Sequence, residues 1–188
     1  VGRALSVACA EAGLDVAVHY RSSAGPARAA VEECRACGVR AEAVGGDLAT
    51  AAGCHAVVGA AEDALGPVDV LVNSAANFLA APFEETTEEH LDTAFAVNLK
   101  APFVLAQAVA PGMRARGFGR IVNIGDVAGL EPWPRFTAHC VAKAGLVMLT
   151  KALAQELAPE ITVNAIAPGP VLMPDDSSEA AIERSRRK

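Results

Sequence analysis

Three ionisable side chains stand at a spacing that suits proton transfer. His139 and Lys143 are four residues apart in a stretch whose composition predicts a helix, so both side chains point to one face. Asp126 precedes His139 by 13 residues and follows a predicted strand. An isolated helical histidine is more often structural, but a carboxylate, an imidazole and an ammonium that converge at a sheet edge favour acid–base chemistry.

The elements that must position these groups alternate between helix and strand along the chain. Apolar strands are predicted over residues 15–20, 41–44, 68–73, 120–124 and 161–166. Helices are predicted over 2–12, 26–37, 50–65, 86–116 with an interruption near 98–102, and 136–157, with a further helix start after 177. Strands that are apolar throughout and joined by helices predict an α/β fold, a doubly wound, Rossmann-like parallel sheet with helices on both faces. The chain is expected to form one domain over 1–188, with its ligand at the carboxyl ends of the strands.

The residues after the first two strands could recognise the adenosine half of a dinucleotide. Arg21 follows the first strand, with Ser22 and Ser23 beside it; an arginine here favours the 2′-phosphate of NADP, and the alternative is a solvated turn. Asp47 follows the second strand. Its carboxylate could accept from an adenine amino group or cap the helix that begins near Thr50.

The third strand is followed by small residues and an exposed aromatic candidate. Ser74, Ala75 and Ala76 would let the backbone approach a flat ligand. Phe78 is either a core plug or a stacking surface for an aromatic substrate.

Composition excludes several partner classes. The formal net charge of −6 disfavours nucleic acid and anionic membranes. No run of about 20 apolar residues predicts a membrane span. Cys34 and Cys37 form a CxxC inside a predicted helix without a second pair at zinc spacing, so no metal site is expected. The five cysteines are interpreted as those of a reduced, cytoplasmic protein.

Several motifs, in order, resemble those of the short-chain dehydrogenases/reductases. They are Asn73-Ser-Ala-Ala76, Asn98, Arg120-Ile-Val-Asn-Ile124, Lys143-Ala-Gly145 and Asn164-Ala-Ile-Ala-Pro-Gly169. Within the family, the sequence is most similar to pteridine reductases. That likeness depends on His19-Tyr20-Arg21-Ser22, on Phe78 at their pterin-stacking position, and on Asp126 where most members have a catalytic serine.

The resemblance implies hydride transfer from NADPH to a C=N or C=O bond of a small, pterin-like substrate. Lys143 would hold the nicotinamide ribose and lower the pKa of a proton donor, and Asn98 would hold a water of the proton relay. Phe78, Asp126 and His139 would face the substrate. The implied cofactor-binding residues are Gly2, Arg3, Tyr20, Arg21, Ser22, Ser23, Asp47, Leu48, Asn73, Ser74, Ala75, Lys143, Pro168, Gly169 and Val171.

The sequence departs from the family in two ways. His139 stands where the family has its catalytic tyrosine, so either Asp126 or His139 is expected to supply the proton. The chain also resembles a fragment truncated at both ends, because the first, central strand and the earlier glycines of the phosphate turn do not precede Val1. That strand's neighbours are then expected to be unpaired, with weak cofactor binding.

Two alternatives to the pteridine-reductase-like function stay open. One is a general carbonyl or 3-oxoacyl reductase of the same family, and the other is an impaired relative that binds NADP without turnover. The helices over 86–116 and 136–157 correspond to the family's subunit contacts, which implies a homodimer or homotetramer of the full-length protein.

Overall fold

The computed structural model describes residues 1–169, so Val171 and the helix start predicted after 177 lie outside the described residues. The helices are α1 (Gly2–Glu11), α2 (Ala24–Ala36), α3 (Ala51–Leu65), α4 (Glu88–Phe95), α5 (Ala101–Ala115) and α6 (Thr137–Glu156). The strands are β1 (Val16–Tyr20), β2 (Ala41–Gly45), β3 (Val70–Asn73), β4 (Gly119–Ile124) and β5 (Ile161–Ile166). Each predicted helix and strand among these residues is therefore present, with small shifts of its ends.

Glycines set the ends of the first three helices. Gly13, Gly38 and Gly66 have φ of 84°, 87° and 95°, a left-handed conformation that costs a residue with a side chain more than it costs glycine. The Thr50 side chain accepts a hydrogen bond from the Gly53 amide and so caps α3. Asp47 instead accepts from the Ala49 amide, so the prediction that Asp47 might cap α3 is wrong.

The strands form two parallel sheets. β1 pairs with β2, while β3, β4 and β5 pair in that order. No backbone hydrogen bond of the described residues joins β1 to β3, which confirms the expectation that these edges would be unpaired. A cleft of about 1070 Å³ separates them, and Val16, Val18, Val70 and Val72 are among its lining residues.

α2 packs against β1 and β2, α5 packs against β3, β4 and β5, and α3 contacts β1, β2 and α5. Val18, Ala30, Val31, Cys34 and Ala41 form a core between β1, β2 and α2. Val104, Val109, Met113, Ile121 and Ile161 belong to a larger core that α3 and α5 share with β4 and β5. Cys34 lies in α2, as predicted, but Cys37 follows the last residue of the helix instead of lying inside it.

The predicted interruption of the long helix is a π-helical segment, Ala96–Lys100, between α4 and α5. The continuous stretch Glu88–Ala115 is long and apolar enough to cross a bilayer, contrary to the sequence-based expectation. Half of its apolar window is buried within the fold, as expected of a core helix that packs on a sheet. Length and apolar composition alone do not separate the two cases.

Candidate active site

Two close approaches to α6 bring the ends of β4 and of α4 together. A Cβ on Gly129 would lie 2.8 Å from the Lys143 carbonyl carbon, so only glycine lets the 3₁₀ turn Val127–Gly129 lie against α6 there. A Cβ on Gly145 would lie 2.9 Å from Leu99 Cδ2, in the π-helical segment. These contacts bring the loop after β4, the π-helical segment and one face of α6 close together around a common point.

Asp126 and His139 form a hydrogen-bonded pair at that point, as the sequence predicted. Asp126 Oδ2 lies 3.2 Å from His139 Nε2. Its other oxygen, Oδ1, accepts a hydrogen bond from the Ala128 amide at 2.7 Å and so begins the 3₁₀ turn. Both carboxylate oxygens are thus fixed by the chain itself, which holds the carboxylate in one orientation.

Lys143 lies one helical turn beyond His139 and is also buried. Its ammonium donates a hydrogen bond to the Ile124 carbonyl at 2.7 Å. Burial lowers the pKa of Lys143 below its usual value, and the Asp126 carboxylate partly offsets this. The expected convergence of carboxylate, imidazole and ammonium is therefore present in the structure.

Asn98 lies beside the pair, but its amide groups are committed to Asn77. Asn98 Oδ1 accepts from the Asn77 amide at 3.0 Å, and Asn98 Nδ2 donates to the Asn77 carbonyl and side-chain oxygens at 3.1 and 3.0 Å. Among the described contacts, the Asn98 side chain positions the loop after β3. Sequence reasoning missed Asn77, although its place four residues after the end of β3 was a usable signal.

Phe78 belongs to an aromatic cluster that closes one side of the pair. Its ring stacks on Phe136 with centroids 4.3 Å apart and meets the His139 ring edge-on at 4.7 Å. Trp133 lies against both phenylalanines. Phe78 remains 53% exposed, so it is neither a core plug nor a fully free stacking surface. The sequence did not predict that Phe136 covers one of its faces.

Most of the cofactor-binding candidates line the cleft between the two sheets. Its lining includes Gly2, Arg3, Tyr20, Arg21, Ser22, Ser23, Asp47, Leu48, Asn73, Ser74 and Ala75. A Cβ on Gly2 would lie 4.0 Å from Ser74 Oγ, so the first turn of α1 abuts the loop after β3. Pro168 and Gly169 follow β5, and the Pro168 carbonyl accepts from the Val127 amide at 3.1 Å.

Three of these candidates have local roles that the sequence did not predict. The Arg3 guanidinium forms an ion pair with Glu33 of α2. Leu48 is buried in the larger core. Tyr20 lies over Gly45, where a Cβ would meet its ring at 3.0 Å.

Two polar features of the cleft suit a dinucleotide. Asn73 Oδ1 is buried and has no hydrogen-bond partner among residues 1–169. A buried acceptor of this kind calls for a donor such as a hydroxyl or an amide. The amide groups of the first turn of α1 suit a phosphate. The described residues contain no cluster of metal-ligating side chains.

A family model described as short chain dehydrogenase matches residues 1–181. The chain belongs to this family. It is 39% identical over 170 residues to nodulation protein G of Azospirillum brasilense, covering 90% of this chain and 69% of that protein. It is 37% identical over 174 residues to the 3-oxoacyl-[acyl-carrier-protein] reductase FabG of Staphylococcus aureus, again covering 90% and 69%.

Solved members of the short-chain dehydrogenase family share the fold. Acetoin dehydrogenase from Enterobacter cloacae superposes with a TM-score of 0.88 at 35% identity, over 97% of this chain and 76% of that one. An NAD⁺-bound xylitol dehydrogenase gives 0.83 at 29% identity, over 89% and 65%. A blue fluorescent protein from a metagenomic library, in complex with NADPH, gives 0.83 at 34% identity, over 96% and 76%. The Rossmann-like α/β prediction is thereby confirmed, and the protein is an oxidoreductase of this family.

Proposed function

We propose that this protein is an NADPH-dependent reductase that acts on a C=N or C=O bond of a small, pterin-like substrate. The observation that carries the proposal is the arrangement around His139, where Asp126 lies on one side of the imidazole and Phe78 on another. An acid–base pair beside an exposed aromatic ring suits a flat heterocycle that must be both stacked and protonated.

The residues along the cleft would hold the nicotinamide dinucleotide, which supplies the hydride when bound. Lys143 would contact the nicotinamide ribose from its buried position, and Asn73 would use its unpartnered oxygen to accept a hydrogen bond. Asp47 has one free carboxylate oxygen for the adenine amino group. Pro168, Gly169 and Val171 would line the nicotinamide end.

The residues after β1 favour NADP over NAD. Arg21, Ser22 and Ser23 are exposed at the cleft and make no side-chain hydrogen bond to residues 1–169. A free guanidinium with two hydroxyl groups beside it suits the 2′-phosphate. The solved relatives include one complex with NADPH and one with NAD⁺, so the preference is argued from these residues rather than from the family.

A general carbonyl or 3-oxoacyl reductase is the second candidate. The likeness to FabG over 90% of this chain favours it, as does the Phe136 ring that occupies one face of Phe78. A third possibility, a relative that binds NADPH without turnover, is favoured by the histidine at position 139. For each candidate we propose a small-molecule ligand and a cytoplasmic location.

We further propose that copies of the chain associate through α4, α5 and α6. Leu91, Phe103, Val141 and Met148 are exposed apolar side chains on these helices. Exposed apolar side chains on neighbouring helices are typical of a subunit interface. Light scattering of the purified protein would measure the assembly, and we expect a dimer or a tetramer.

Substrate profiling tests the proposed function. The purified chain is given NADPH or NADH together with a dihydropterin, a 3-oxoacyl thioester or a small diketone, and cofactor oxidation is followed. We expect kcat/KM to be largest for NADPH with the dihydropterin. Preference for the thioester would establish the second candidate, and NADPH binding without any oxidation would establish the third.

A further inference from the structure

The two members of the acid–base pair differ in their access to a ligand. The His139 side chain is 4% exposed, whereas the Asp126 side chain is 22% exposed. Phe78 covers the imidazole edge-on, and the π-helical segment lies behind it. A substrate that approaches the pair would therefore meet the carboxylate before it met the ring.

Both ring nitrogens of His139 face oxygen acceptors. Nε2 lies 3.2 Å from Asp126 Oδ2, and Nδ1 lies 3.3 Å from the backbone carbonyl oxygen of Asn77. The Asn98 amide nitrogen is 3.5 Å from Nδ1, but it already donates to two Asn77 oxygens at shorter distances. An imidazole between two acceptors is satisfied at both nitrogens only when it carries both protons.

Asn77 is fixed firmly enough to serve as such an acceptor. Besides its contacts with Asn98, its Nδ2 donates to the Thr93 carbonyl of α4 at 2.6 Å. Both the backbone and the side chain of this loop residue are therefore held by the helix opposite. Its carbonyl oxygen cannot swing away from Nδ1 without breaking several hydrogen bonds.

We propose that His139 is a buried proton donor that acts through Asp126. The Asn77 carbonyl is the group that fixes the tautomer of the imidazole. This assignment of roles rests on the proposed reductase function. Asp126 is the catalytic residue that touches the substrate, and His139 and Asn77 are positioning residues. His139 therefore does not protonate the substrate directly, as a tyrosine hydroxyl at this position would.

The proton follows one path. The Nε2–H bond of the imidazolium breaks and the proton bonds to the Asp126 carboxylate. The carboxyl O–H bond then breaks as the proton passes to the basic oxygen or nitrogen that hydride addition leaves on the substrate. Neutral imidazole and carboxylate remain, and solvent returns one proton to the pair. Because the Asn77 carbonyl holds Nδ1–H, the vacated lone pair is on Nε2, which faces Asp126.

The ionisable groups beside the imidazole are Asp126 and, one turn along α6, Lys143. Asn77, Asn98 and Phe78, which also contact the imidazole, carry no charge.

The first test needs neither cofactor nor turnover. The ¹⁵N chemical shifts of the histidine rings distinguish the protonated, Nδ1–H and Nε2–H forms, and His139→Gln identifies the signal among the four histidines. We expect the neutral form to be Nδ1–H. Asn77→Ala removes the side chain that anchors the Asn77 carbonyl to α4, so it should give a mixture of the Nδ1–H and Nε2–H forms. Asn164→Ala, at an exposed position of β5, is the control and should give no such mixture. A neutral Nε2–H form in the parent would overturn the proposal.

The second test is kinetic and separates this proposal from the reductase function itself. His139→Gln should lower kcat and leave KM unchanged. A raised KM would show that His139 touches the substrate, and an unchanged kcat would show that it takes no part in the reaction. A parent without turnover would contradict the proposed function, and the NMR test would still decide the tautomer.

Discussion

Each sheet forms one wall of the molecule, and the two walls hold their polar side chains in different ways. On the wall formed by β3, β4 and α6, Asp126, His139 and Lys143 are each hydrogen-bonded to the chain, and the last two are buried. On the wall formed by β1 and β2, Arg21 and its neighbouring serines are exposed and make no side-chain hydrogen bond to residues 1–169. The proton-transfer groups are thus organised before any ligand arrives, whereas the cofactor-selecting groups acquire their partner from the ligand. Substitutions on the first wall should change the chemistry, and those on the second should change the choice of cofactor.

The largest effect is expected for Asp126→Asn on the first wall. The amide keeps the shape of the side chain and its hydrogen bond from the Ala128 amide, but it cannot carry a proton to the substrate. Removal of a general acid lowers kcat by about 10²–10⁴-fold. Steady-state kinetics measure the loss, and a thermal melt checks the fold. A variant within a few-fold of the parent would show that proton transfer does not pass through this carboxylate.

Arg21→Asp should reverse the cofactor preference on the second wall. Hydrogen bonds to a charged group are worth about 1.5–3 kcal/mol, so the ratio of kcat/KM for NADPH over NADH should fall by roughly 10- to 100-fold. Arg28→Asp changes an exposed arginine of α2 and serves as the matched control. Equal effects of the two substitutions would mean that only the overall charge matters.

Phe136→Ala should have a moderate effect that depends on the substrate. It uncovers one face of Phe78, whose ring centroid lies 4.3 Å from that of Phe136. An aromatic pair is worth about 0.5–1.5 kcal/mol, so KM for a flat heterocycle should change by a factor of roughly 2 to 13. KM for a small diketone should stay the same. Parallel changes for both substrates would argue against a stacking role for this cluster.

Lys143→Met should lose activity, but its effect on the stability of the fold is expected to be the smallest of these changes. Burial lowers the Lys143 pKa in the folded protein, so the folded state binds fewer protons than the unfolded state just below the ordinary lysine pKa. The free energy of unfolding of the parent should therefore rise with pH through that window. The variant should lack this rise and be at least as stable at neutral pH. Denaturant unfolding at several pH values measures both, and an unchanged pH dependence would contradict the burial effect.

The same contrast between the two walls describes what the sequence could predict. The elements followed from apolar periodicity and from glycines such as Gly13 and Gly38, whose backbone conformation is local. His139, Lys143 and Asp126 followed from helical spacing and a strand end. These signals are all carried by a residue and its near neighbours.

The features that the sequence missed depend on distant packing. Asn77 contributes a backbone carbonyl, which any residue has, so its type carries no signal for that role. Phe136 stacks on Phe78 across 58 positions of chain. Leu48 faces a core that only the folded chain defines.

The most direct measurement of the central claim is NADPH oxidation with a dihydropterin by the parent chain and by His139→Tyr. If His139 acts through Asp126, the parent oxidises NADPH and His139→Tyr oxidises it no faster. A parent that binds NADPH without oxidising it, alongside a variant that turns over, would show that the Asp126–His139 pair does not transfer protons in this site.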